Sequence, residues 1–133
     1  MGNTGTQDQA APVLAAQAAT PLAGTALVNG TPNLLQWTAP NDGQVHSFNV
    51  AATAHVTLAL TGGQIQVKWT SAGVNQVSTL LAGGEAAGTY VGLFLGNGGN
   101  GPQQCDPGTT VTIQQTSAVT AGAAVLIAQI QGV

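Results

Sequence analysis

Charge is what this chain has least of. Among 133 residues there are one lysine, Lys68, no arginine and four acids, Asp8, Asp42, Glu85 and Asp106, for a formal net charge of -3. Average soluble domains are about a quarter Asp, Glu, Lys and Arg, so neutral groups must wet this surface. Acid, base, oxyanion and phosphate chemistry all draw on ionisable side chains. Their scarcity argues against most enzyme classes, and no catalytic activity is expected. One lysine cannot neutralise several phosphates, so nucleic acid is not an expected partner. A lone Cys105 excludes an internal disulfide. No apolar run approaches the 18 or more residues of a membrane helix, and no membrane partner is expected. The opening MGNTGTQDQ lacks the basic patch and apolar core of a secretory signal. It matches the short myristoylation pattern, but nothing basic follows to reinforce a lipid anchor. A soluble protein made in the cytoplasm is expected.

Aromatics are equally scarce, five in all: Trp37, Phe48, Trp69, Tyr90 and Phe94. What fills the chain instead is Ala (22), Gly (19), Thr (17) and Gln (14), more than half of it. The length suits one domain with a core of its own. A core this lean in large side chains suggests that further burial occurs between subunits.

Two regions differ in pattern. Residues 1–24 are Ala, Gln, Thr and Gly with Pro12 and Pro21, and Val13, Leu14 and Leu22 are the sizeable apolar residues after Met1. This segment cannot bury enough to fold alone. It is expected to be an irregular arm or tail, able to reach about 80 Å when extended. Residues 25–133 carry short alternating runs separated by turn residues, which predicts an all-β antiparallel sandwich or barrel of eight or nine strands, jelly-roll-like in count.

Within that domain, the turn Asn41-Asp42-Gly43 leads into a strand with His46, Phe48 and Val50 on one face. Val56, Leu58 and Leu60 alternate in a further strand. Gly62-Gly63 then predicts a hairpin turn into Ile65, Val67 and Trp69, whose intervening Gln64, Gln66, Lys68 and Thr70 face solvent. Two later strands are apolar on both faces. Tyr90 and Phe94 oppose Val91, Leu93 and Leu95, and Val125 and Ile127 oppose Leu126 and Ile130. Such strands are covered on both sides, within the sandwich or by another subunit. The candidate subunit interface is therefore Tyr90, Leu93, Phe94, Leu95, Val125 and Ile127. Trp37, Trp69 and Tyr90 are expected in the core, and residues 95–108 form the longest loop, with Cys105 a loop thiol.

No motif for catalysis emerges. His46 and His55 are too few for a metal centre unless carboxylates join them, and they read as one partly buried and one surface histidine. Asp106 beside Cys105 would raise the thiol's pKa rather than activate it. The LGNGGNG run lacks the lysine and the following helix of a phosphate loop. No cofactor and no metal are expected.

The run Trp37-Thr-Ala-Pro-Asn-Asp-Gly43, a Thr/Val-rich middle, a Gly-rich excursion, Pro107-Gly-Thr-Thr-Val-Thr-Ile113 and a final apolar strand together resemble small jelly-roll proteins of tailed-bacteriophage virions. The resemblance covers residues 25–133. It implies a trimeric sandwich akin to the tumour-necrosis-factor and complement-C1q folds, acting as a capsid decoration, or head-cementing, protein on the exterior of the virion. The major capsid protein is then the expected partner, and Val13, Leu14 and Leu22 belong to a capsid-binding arm. The alternative is a trimeric tail-fibre or spike head that binds a host surface glycan through aromatics and amides.

Overall fold

The computed structural model describes residues 22–96 and 102–133. Val13 and Leu14 lie outside the described residues. Nine strands follow in chain order: β1 (Leu22–Ala26), β2 (Asn33–Thr38), β3 (His46–Gly62), β4 (Ile65–Ser71), β5 (Val74–Leu81), β6 (Tyr90–Leu95), β7 (Gln103–Cys105), β8 (Thr110–Gln115) and β9 (Val119–Gly132). They form two antiparallel sheets. Sheet A has the order β1-β9-β3-β6, and the short β7 pairs with the first residues of β3 beyond the end of β6; sheet B has the order β2-β8-β4-β5. With β7 set aside, these are the two interleaved four-stranded sheets of a jelly roll, as the alternation pattern predicts.

The strands exist because apolar residues recur every second position. In β3, Phe48, Val50, Ala52, Ala54 and Val56 all point inward and are buried. They meet Leu126 and Ile130 of β9, and across the sandwich Ile65 and Val67 of β4 and Val111 and Ile113 of β8. Large side chains are concentrated rather than spread. Phe48 lies between two tryptophans, 6.3 Å from Trp37 and 5.4 Å from Trp69 between ring centroids, the latter edge to face. Edge-to-face geometry suits the ring quadrupoles, so three of the five aromatics make one cluster.

Several expectations change. The two strands expected on either side of residue 52 are one 17-residue strand, β3. Ala52 and Ala54 keep the inward phase but are small enough to look like a break. The hairpin expected at Gly62-Gly63 is instead a crossing between sheets, because β3 pairs in sheet A while β4 pairs with β5 and β8 in sheet B. Gly62 has φ +78°, and a side chain there would run into the Ala118 carbonyl, so only glycine passes at this point. Residues 103–105, expected in a loop, form β7, and Cys105 is fully buried there. Leu22, assigned from sequence to the arm, opens β1 and pairs with Ala128.

Gln115 is the one fully buried polar side chain among the described residues. Its Oε1 accepts the Val28 N–H at 3.1 Å, and its Nε2 donates to the Val28 and Ser117 carbonyls. The amide thus copies a strand's backbone pairing and ties the end of β8 to the chain leaving β1.

Candidate functional site

The outward faces of the two sheets differ sharply. On sheet B the outward positions are polar apart from the exposed Val77 opposite Lys68: Gln36, Thr38, Gln66, Lys68, Thr70, Asn75, Thr79, Thr110, Thr112 and Gln114, several of which bind one another across strands. The Thr38 and Thr110 hydroxyls lie 2.9 Å apart, Thr70 donates to Asn75 Oδ1 at 3.2 Å, and Lys68 Nζ donates to Gln114 Oε1 at 3.1 Å. A shallow groove of about 420 Å³ runs over this face, lined in part by Lys68, Thr110, Thr112 and Gln114. Much of its polar lining is already paired.

Sheet A presents an apolar face. The inward phase of β3 turns Ala51, Thr53 and His55 outward, and the register places their neighbours: His55 lies opposite Tyr90 and Val125, Thr53 opposite Gly92 and Ile127, and Ala51 opposite Phe94 and Gln129. The His55 and Tyr90 rings are stacked, with centroids 4.0 Å apart and planes 5° from parallel. The Phe94 ring lies over Gly92, where a Cβ would come within 2.7 Å of it. Tyr90 is 73% exposed, Ile127 56% and Phe94 55%, while Val125 is half-buried. A depression of about 210 Å³ sits among Thr53, His55, Tyr90, Val125 and Ile127. Asn49, Gln129 and Gln131 line a smaller hollow at one end of the face.

Four of the six residues expected at an interface therefore share this face: Tyr90, Phe94, Val125 and Ile127. Leu93 and Leu95 do not, because the two-residue period turns them inward, where they pack against the core with Val91. Tyr90, expected in the core, is instead the most exposed large residue of the face. His55, read from sequence only as a surface histidine, is the centre of the face. Its pairing with a residue 35 positions away could be found only from strand register.

The remaining ionisable groups hold turns. Asp106 accepts the Ala72 N–H on Oδ1 at 2.7 Å and the Gly73 N–H on Oδ2 at 2.9 Å. Glu85 accepts the Ala82 and Gly83 N–H groups at 3.0 and 3.1 Å. Asp42 accepts the Gln44 N–H at 3.0 Å and lies 2.8 Å from His46 Nε2. The His46 hydrogen bond first, and then that of Gln44, hold the Asp42 carboxyl below its ordinary value of 3.8. Burial, and then the nearby Asp106 charge, push the Cys105 thiol up to about 11, so it is no nucleophile at neutral pH. Among the described residues no three of His, Cys, Asp and Glu come together as a metal site would require.

The fold defines a jelly-roll β-sandwich protein whose two outer faces are chemically opposed. No protein family matches the chain, and no curated protein matches its sequence.

Proposed function

We propose that this chain is a structural virion protein: a capsid decoration, or head-cementing, protein that associates as a homotrimer and binds the major capsid protein on the outside of a tailed-phage head. It would be made in the host cytoplasm and act on the finished shell. The virion role comes from the sequence resemblance. The observation that supports an assembly role is the apolar face of sheet A on a sandwich whose other face is polar apart from Val77. Monomeric proteins rarely leave such a face open. Among the described residues Asp42, Glu85 and Asp106 are committed to turns, which supports a structural role.

Shell attachment is assigned to the segment preceding β1, with Val13 and Leu14, and subunit contact to Tyr90, Phe94, Val125 and Ile127. Three arms on one trimer bind a shell far more tightly than one, because each later contact is intramolecular. Mixing the purified protein with undecorated shells and imaging the product tests this directly. Density at local threefold positions is expected, and shells without added density would contradict the reading.

One observation favours a second reading, a spike head that binds host glycan. Tyr90 offers a broadly exposed ring on the stack with His55, and sugar rings pack on such faces. Binding to cell surfaces together with no binding to shells would select it.

A further inference from the structure

The apolar face of sheet A carries one group that can gain a charge near neutral pH, and that group lies at its centre. His55 is stacked on Tyr90 and flanked by Val125 across the strand pair. Its own strand presents Thr53 and Thr57 beside it on the same face, and neither β6, β9 nor β1 carries a charged residue. Glu85, on the loop between β5 and β6, accepts the Leu60 N–H on its backbone carbonyl. Its carboxylate is committed to the Ala82 and Gly83 N–H groups. The other histidine, His46, sits at the far end of β3 with Asp42. Among the described residues, therefore, no carboxylate faces His55 to compensate a proton on it.

What would cover this face is a second copy of the chain. The chain carries a formal charge of -3, so copies repel one another through most surfaces, yet this face can meet its own kind without opposing like charges. A strongly charged partner would find no opposite charge on it. The exposed parts of Tyr90, Phe94 and Ile127 amount to apolar area on the order of 400 Å², the size of the largest patch on a typical monomer and one that is often functional. A stable interface takes about 800 Å² from each partner. The patch supplies its dry centre, and Asn49, Gln129 and Gln131 its amide rim.

Resting on the self-association reading above, we propose that this contact is switched by a proton on His55: the face closes on its neighbour when the imidazole is neutral and opens when it is charged. Closure strips water from the ring, and an imidazolium without a partner is costly in an apolar contact. In the open form the same cation is well placed, hydrated on one side and lying on the Tyr90 ring on the other. Acid therefore favours the separated protomers while leaving the sandwich folded. Association is expected to weaken by about tenfold or more between about pH 7.5 and about pH 5.5 for each protomer whose ring is covered.

The test is sedimentation equilibrium of the full chain at about pH 7.5 and about pH 5.5, with far-ultraviolet circular dichroism at both. The wild type is expected to associate at the higher pH and dissociate at the lower with its strand signal unchanged. His55→Phe keeps a ring on Tyr90 but takes no proton, and should stay associated at both; His55→Gln serves as a second proton-free variant if the phenyl ring disturbs folding. His46→Gln should behave as the wild type. A wild type equally associated at both pH values would overturn the switch and leave self-association standing. A monomer at about pH 7.5 would overturn the self-association reading and the switch with it. Loss of strand signal in acid, or a His55→Phe protein that still dissociates there, would also overturn the switch.

Discussion

Asp106 holds Ala72 in a left-handed backbone conformation from 34 residues away in sequence. Ala72 has φ +51° and Gly73 φ +74°, the paired positive values of a tight type I′ hairpin turn between β4 and β5. Both turn N–H groups donate to the Asp106 carboxylate, and the Asp106 N–H donates to the Thr70 carbonyl at 2.9 Å. Bidentate acceptance by a charged group offsets the cost of alanine in this region.

Two substitutions at this turn should move stability in opposite directions. Asp106→Ala removes both hydrogen bonds and should cost about 1–3 kcal/mol in denaturant unfolding. Ala72→Asn creates the Asn-Gly pair that this turn favours and should add up to about 1 kcal/mol. A stabilised Asp106→Ala would show that the carboxylate does not hold the turn.

Gln115 should be intolerant of an apolar replacement despite lying among apolar neighbours. Gln115→Leu takes the side-chain partner from the Val28 N–H and puts an apolar group where the amide was, while the Val28 carbonyl keeps the Val119 N–H at 3.1 Å. Urea unfolding should show a loss of about 2–4 kcal/mol. An unchanged midpoint would mean that this amide ladder contributes nothing net.

Acid should act on the fold through Asp42. Its native value is depressed, so it contributes stability that is present above its ordinary 3.8 and lost as pH falls through the lowered native value. Asp42→Asn should flatten the decline in urea midpoint below about pH 4, compared with the wild type. Parallel declines in the two proteins would contradict this assignment.

Cys105 should be silent in the native protein. It is fully buried in β7, and its thiol is pushed up to about 11. A thiol reagent at mildly alkaline pH is expected to label no cysteine in the folded chain and one after denaturation. Rapid native labelling, or a disulfide-linked dimer on a non-reducing gel, would contradict the burial.

The sequence pattern carries the sandwich and much of the face because side-chain phase is local. Tyr90 and Phe94 stand against Val91, Leu93 and Leu95 in any extended strand, so their separation is readable without a structure. What lies on each side of a strand is not local. Which side meets the core, and that His55 finds Tyr90, depends on pairings made by residues far apart in the chain. The length of β3 was hidden because Ala52 and Ala54 keep the inward phase without bulk. The crossing at Gly62 was hidden because a Gly-Gly pair looks alike whether the chain returns to the same sheet or passes to the other. Gln115 was legible in principle: it follows Val111 and Ile113 in the buried phase of β8, where a polar residue signals an internal partner.

The proposed trimer and its proton switch both depend on the outer face of sheet A being a contact between copies. The most direct measurement is the solution mass of the full chain at neutral pH by light scattering, beside Ile127→Lys, which places a charge in the face without touching the core. The account predicts three times the 13.1 kDa chain mass for the wild type and a folded monomer for the variant. A wild-type mass of 13.1 kDa at micromolar concentration, or a variant that still trimerises, would contradict it.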